Sequence, residues 1–141
     1  MKFGTKKILA LTLILMLSAI GCSLVKGRGA GERAVVRFHE QFNSGQYVDI
    51  YRQTDEGFRK AASEADTRAL FDGVRRKLGT VKQTNQVRWN VNATPMGTMV
   101  VLAYETEFTE GKATEQFIYH VSGENASLYR YDIMSPLLVT R

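Results

Sequence analysis

Val87-Arg88-Trp89-Asn90-Val91-Asn92-Ala93 alternates apolar and polar or small residues without a break. Successive side chains on a strand point to opposite faces, so a period of two marks a strand with one buried and one wet face. The same period recurs downstream. Four strands are read: Thr84 to Ala93, Met99 to Phe108, Ala113 to Val121 and Ser127 to Met134. Thr94-Pro95-Met96-Gly97, Thr109-Glu110-Gly111-Lys112 and Ser122-Gly123-Glu124-Asn125 separate them, all rich in turn formers. Connections this short predict an antiparallel meander.

Pairing the residues that flank each turn gives a register. Val87, Trp89 and Val91 fall opposite Tyr104, Leu102 and Val100, which in turn fall opposite Phe117, Tyr119 and Val121. A one-residue adjustment at the last turn adds Tyr131, Tyr129 and Ile133. All twelve then share one face, and a one-residue slip in any strand would turn its apolar set to water. This predicted inner face holds no acid and no histidine. The other face carries Arg88, Asn90, Asn92, Glu105, Glu107, Gln116, His120, Arg130 and Asp132.

Upstream of Gly79 the apolar period is helical. Val35, Phe38 and Phe42 make one stripe, which predicts a helix over Glu32 to Asn43 that stops at Asn43-Ser44-Gly45. A short helix from Tyr47 to Gln53 would bury Tyr47, Ile50 and Tyr51, with Thr54 to Gly57 as a connection. A third helix has Ser63 as its cap and Glu64 and Asp66 in its first turn. Leu70, Phe71, Val74 and Leu78 form its apolar face. Arg75, Arg76 and Lys77 suit the negative end of its dipole. The expectation is an α+β domain, residues 32–141, with N-terminal helices packed on one face of a four-stranded antiparallel meander sheet. After Ser135-Pro136, Leu137, Leu138 and Val139 make an apolar tail that either tucks against the domain or meets a partner.

The chain begins with Lys2, Lys6 and Lys7, then the apolar stretch from Ile8 to Leu17, then Ser18-Ala19-Ile20-Gly21-Cys22. Basic, apolar and small residues in that order are the layout of a secretory signal peptide, here residues 1–21. The stretch is well short of the roughly 20 apolar residues of a membrane span. Cys22 is the only cysteine, so it has no disulfide partner within the chain. Leu17 to Cys22 resembles the lipobox of bacterial lipoproteins, although Ala19 stands where leucine is commonest. The resemblance implies a diacylglycerol on the Cys22 sulfur and an acylated new amino terminus. Ser23 after the cysteine implies sorting to the outer membrane, facing the periplasm, in a Gram-negative host. Residues 22–31 then read as the acylated cysteine and a flexible tether, with Gly27, Gly29 and Gly31. Lys26, Arg28 and Arg33 either attract anionic headgroups or are incidental. Cleavage removes three lysines from a precursor of net charge +5, so net charge gives no support for nucleic-acid binding.

Helices followed by a meander resemble the nuclear-transport-factor-2-like superfamily, a cystatin-like α+β cone. Several stretches are similar to one branch of it, small bacterial lipoproteins of unknown function. They are Phe42-Asn43-Ser44-Gly45-Gln46-Tyr47 with Ile50-Tyr51, and Leu78-Gly79. In the strands they are Tyr104-Glu105-Thr106-Glu107-Phe108, Glu115-Gln116-Phe117 and Leu128-Tyr129-Arg130-Tyr131-Asp132-Ile133. Enzymes of the superfamily place an acid or histidine inside the cone, but the fold also serves plain binding modules and carries no activity by itself.

Few residues carry chemistry. Glu105 and Glu107 share a face and are spaced for acid–base work, or form a solvated charged surface. His39 borders the core from the first helix, as a core histidine or as a base. Trp89, Tyr104, Tyr119, Tyr129 and Tyr131, with His39 at the rim, either pack as ordinary core or line a pocket for a small apolar ligand. Two histidines and one cysteine make a poor metal set, and no phosphate loop or nucleophile elbow is present. The sequence therefore points to a cell-envelope lipoprotein, held to the membrane by its N-terminal lipid. It is expected to be non-catalytic, without cofactor or metal, and to bind a protein or cell-envelope partner, such as an envelope protein. A tyrosine-lined ligand site is the alternative, and an acid–base enzyme using His39 and a tyrosine the third reading.

Overall fold

A computed structural model describes residues 25–139. The predicted signal peptide, Cys22 and Ser23 lie outside the described residues. Helix α1 covers residues 25–43, α2 Tyr47–Arg52, α3 Glu56–Ala61 and α4 Glu64–Leu78. Strands β1 Val81–Thr94, β2 Gly97–Phe108, β3 Lys112–Ser122 and β4 Asn125–Met134 follow, then a one-turn helix α5, Pro136–Val139. The sheet is an open antiparallel meander in the order β1-β2-β3-β4. The α+β architecture expected from the sequence is the one observed. None of the described helices is long and apolar enough to cross a membrane.

Helix α1 extends back through the described part of the expected tether. Gly27, Ala30, Gly31 and Ala34 are all buried on one face of it. A β-carbon at Gly31 would lie 3.1 Å from Val100 Cγ1 and 3.2 Å from Leu102 Cδ1. These small residues let the helix backbone press onto β2, so the glycines serve contact and not flexibility. At its other end the Asn43 amide bridges to β1, donating to the Val81 carbonyl at 3.0 Å and accepting from the Val81 amide at 2.8 Å. Arg75 of α4 donates to the Phe42 and Asn43 carbonyls at 3.0 and 2.9 Å, satisfying the end of α1.

Ser63 caps α4 by accepting from the Asp66 amide at 3.1 Å, and Gly79 ends it at φ 81°. Phe71, Val74 and Leu78 are buried as expected, but Leu70 is exposed. Helix α3 stands where the sequence suggested a connection up to Gly57. Asp55 is its cap, accepting from the Gly57 amide at 2.8 Å.

The register departs from expectation at three places. Trp89 and Val91 do pair with Leu102 and Val100, but a bulge between Gln86 and Arg88 expels Val87 and sets Gln86 opposite Tyr104. The β2–β3 turn closes one residue early, with the Phe108 amide donating to the Gly111 carbonyl at 2.7 Å. Lys112 therefore joins β3, and pairing slips by two residues: Leu102 meets Phe117, Val100 meets Tyr119, and Tyr104 meets Glu115. A slip of two preserves the face: Glu115, two residues before Phe117, lies on the inner face, which was expected to hold no acid, and the slip sets it opposite Tyr104. In β4 a second bulge expels Tyr129 and puts Leu128 inward opposite Tyr119.

Candidate functional site

Phe117 of β3 is fully buried in the core between the sheet and the helices. Phe38 and Tyr131 lie 5.0 and 5.1 Å from its ring, His39 5.6 Å, Tyr104 6.0 Å, and Tyr119 stacks on it at 6.1 Å. Four of the six pocket candidates, Tyr104, Tyr119, Tyr131 and His39, therefore converge on a side chain, as ordinary core does. Each such aromatic pair contributes about 0.5–1.5 kcal/mol beyond its buried area.

Beside Phe117 lies Glu115, only 1% exposed. One carboxylate oxygen accepts from His39 Nε2 at 2.9 Å and from the Thr106 hydroxyl at 2.5 Å. The other accepts from the Tyr131 hydroxyl at 2.7 Å. Three donors from α1, β2 and β4 thus surround one buried acceptor group, which offsets the cost of removing a carboxylate from water. Burial pushes the Tyr131 phenol well above its ordinary range, and the neighbouring Glu115 charge pushes it further. Burial also raises Tyr119 and Tyr104. All three therefore stay protonated at neutral pH. His39 is 7% exposed and engaged by Glu115, so it packs as a core histidine.

The remaining two pocket candidates sit on the surface. Trp89 is 50% exposed on the edge strand β1, with the Arg28 guanidinium 4.4 Å from its ring centre. Arg28 also pairs with Glu32 at 2.8 Å and donates to the Gln86 side-chain carbonyl at 3.0 Å; Gln86 in turn donates to the Tyr104 hydroxyl at 3.1 Å. Trp89, Tyr104, Tyr119, Tyr129, Tyr131 and His39 do not line one cavity. The two bulges and Phe117 separate them.

Glu105 and Glu107 face a polar hollow of about 540 Å³ on the outer side of the sheet. Lys82 Nζ reaches Glu107 at 3.4 Å, as on a charge-balanced surface. His120 donates from Nε2 to the Met96 carbonyl at 2.5 Å and contacts the Asp55 carboxylate through Nδ1 at 3.2 Å. It ties the β1–β2 turn to the α3 cap. Among the described residues no group of three His, Cys, Asp or Glu is placed to hold a metal.

The site that sequence reasoning missed is a groove of about 500 Å³ between α3, the first turns of α4 and β4. Phe58, Ala61, Leu70 and Tyr129 give it an apolar lining, and Asp66, Arg130 and Asp132 stand on its walls. Tyr129 is 44% exposed here because the bulge turned it outward. Beside it, the Asp55 amide donates to the Leu128 carbonyl at 2.8 Å, and Thr54 bridges to Leu128. Beyond Leu128, β4 is the edge of the sheet among the described residues, with no described strand on its outer side. Leu70 and Tyr129 each fit the inward apolar pattern of their element, so periodicity alone assigned both to the core.

A family model described as a protein of unknown function, DUF4019, matches residues 28–129. The chain belongs to the DUF4019 family. The match includes Ala30, Gly31 and Ala34 of the α1 face that packs on β2, the Glu115 cluster except Tyr131, and the groove up to Tyr129. No curated protein matches the chain significantly.

Proposed function

We propose that this DUF4019 protein is a lipid-anchored envelope protein, not an enzyme, that binds an extended segment of a protein partner in the groove between α3, α4 and β4. In a Gram-negative host it would sit in the outer membrane and face the periplasm. The observation that carries the reading is Tyr129, turned out of the core by a bulge, beside a strand edge left open beyond Leu128. An unpaired edge offers main-chain donors and acceptors to an added strand, and flanking apolar pockets select its side chains. The buried polar groups offer nothing comparable, since Glu115, His39, Thr106 and Tyr131 satisfy one another. Phe117, buried among Tyr104, Tyr119 and Tyr131, speaks against a ligand cavity on the inner face.

The anchor is tested by palmitate labelling in cells. Cys22→Ser should abolish labelling, and normal labelling in that variant would remove the lipoprotein reading. The groove is tested with a photo-crosslinking phenylalanine at position 70. A discrete adduct is expected that disappears with Tyr129→Ala and is absent when the probe stands at position 105 on the outer face. Equal adducts from positions 70 and 105 would overturn the groove.

A further inference from the structure

We infer that the end of the domain formed by the start of α1 and the tip of the β1–β2 hairpin rests in the headgroup layer of the membrane that holds Cys22. This rests on the lipid anchor proposed above. Val25 is the first described residue, and three residue steps separate it from Cys22. At 3.8 Å per step the connection spans at most about 11 Å. The start of α1 is itself fixed to the sheet: a β-carbon at Gly27 would lie 3.5 Å from Thr98 Cγ2. Asn43, at the opposite end of α1, is bonded to Val81 at the far end of β1. Helix and hairpin therefore run side by side, and the lipid attachment point lies at the hairpin-tip end.

Met96 stands two residues before Thr98, so the tip projects about 7 Å past the level where α1 meets the sheet. That projection is comparable to the reach of the connection. A domain held this closely cannot lift its tip far from the glycerol level of its own anchor. The side chains at this end suit that layer. Met96 is 85% exposed and Val25 73%, and Pro95 and Lys26 are exposed beside them. The tip is braced, since His120 holds the Met96 carbonyl and the Thr94 hydroxyl donates to the Gly97 carbonyl at 2.7 Å. Glu124, on the β3–β4 turn at the same end of the sheet, is exposed and carries the opposite charge to Lys26. Arg28 is engaged by Glu32, Gln86 and Trp89. The seat is therefore a shallow apolar contact and not a polybasic one. The far end of α1 then lies about 28 Å from the seat along the helix axis.

The test uses the full lipidated chain in vesicles of phosphatidylethanolamine with one quarter phosphatidylglycerol. Acylation occupies the Cys22 sulfur, so Met96→Cys or Glu110→Cys supplies the single free thiol for an environment-sensitive fluorophore. Position 110 reports the opposite end of the sheet. Iodide should quench the label at 96 roughly threefold less than the label at 110, with blue-shifted emission at 96 only, as for a side chain in the acyl boundary. Equal quenching at both positions, in chain that floats with the vesicles, would overturn the seat and leave the anchor standing. Chain that carries no lipid mass and does not float would overturn the anchor and the seat with it.

Discussion

His39 Nε2 donates to Glu115 Oε2 at 2.9 Å, across the interface between α1 and β3 and over 76 residues of sequence. The bond gathers α1, β2, β3 and β4 on one buried carboxylate, because Thr106 and Tyr131 donate to the same group. It is made in the observed register, where Glu115 stands opposite Tyr104 and all three donors reach the acid.

Removing the acid should expose how much the fold relies on it. Glu115→Ala leaves three buried donors without an acceptor and opens a cavity, and should cost at least about 4 kcal/mol. Glu115→Gln keeps the shape and one acceptor oxygen, and its new amide faces hydroxyls that can rotate to accept. It should cost about 1–3 kcal/mol. Urea unfolding at neutral pH measures both. Equal losses for the two variants would mean that packing, and not the three donors, holds the site.

The reasons for legibility differ from element to element. Helix α4 was readable because Ser63, Phe71, Val74, Leu78 and Gly79 each carry a local signal that agrees with the fold. The strands were readable by period, and Trp89 and Val91 even in register. The bulges at Val87 and Tyr129 were not, since a bulge adds one residue without changing composition. Glu115 was legible in parity alone: it lies two residues before Phe117 and so on the same face. Its burial requires donors from three other elements, and no sequence window contains them. The start of α1 was misread because Gly27, Gly29 and Gly31 suggest a tether by composition, while the spacing of Gly27, Ala30, Gly31 and Ala34 fits a helix face.

Trp89 looks like core by pattern but is half exposed beneath Arg28. Trp89→Ala should therefore cost only about 1 kcal/mol, made of partial burial and an exposed cation–π contact. In a double-mutant cycle with Arg28→Ala the coupling should be about 0.5–1 kcal/mol. A loss above about 3 kcal/mol, the range for a buried aromatic ring, would place the indole inside the fold.

Two glycines at positive φ should respond differently to alanine. At Gly45, φ 72°, nothing lies within 4 Å of an added β-carbon, so Gly45→Ala should cost about 1 kcal/mol from backbone preference alone. At Gly79, φ 81° and ψ −143°, the β-carbon would fall 1.8 Å from Thr109 Oγ1. That hydroxyl accepts from the Thr80 amide at 3.1 Å, and the Thr109 amide donates to the Thr80 carbonyl at 2.9 Å. Gly79→Ala should cost about 3 kcal/mol or more, as strain and a broken turn combine. Equal shifts in the denaturant midpoint for the two variants would contradict the close approach of Thr109.

Alkaline pH should destabilise the fold through its buried phenols. Tyr119 and Tyr131 are both held above the ordinary tyrosine value of 10.0, chiefly by burial. The unfolded chain releases these protons near pH 10 while the folded chain keeps them, so above that pH the folded state binds more protons. Stability must then fall as pH rises, by up to about 1.4 kcal/mol per pH unit for each phenol. Below about pH 9 the same two groups contribute no slope. Urea unfolding across the alkaline range should show this fall, and Tyr119→Phe or Tyr131→Phe should each remove about one phenol's share of the slope. An unchanged slope in both variants would mean that the phenols reach water in the folded state.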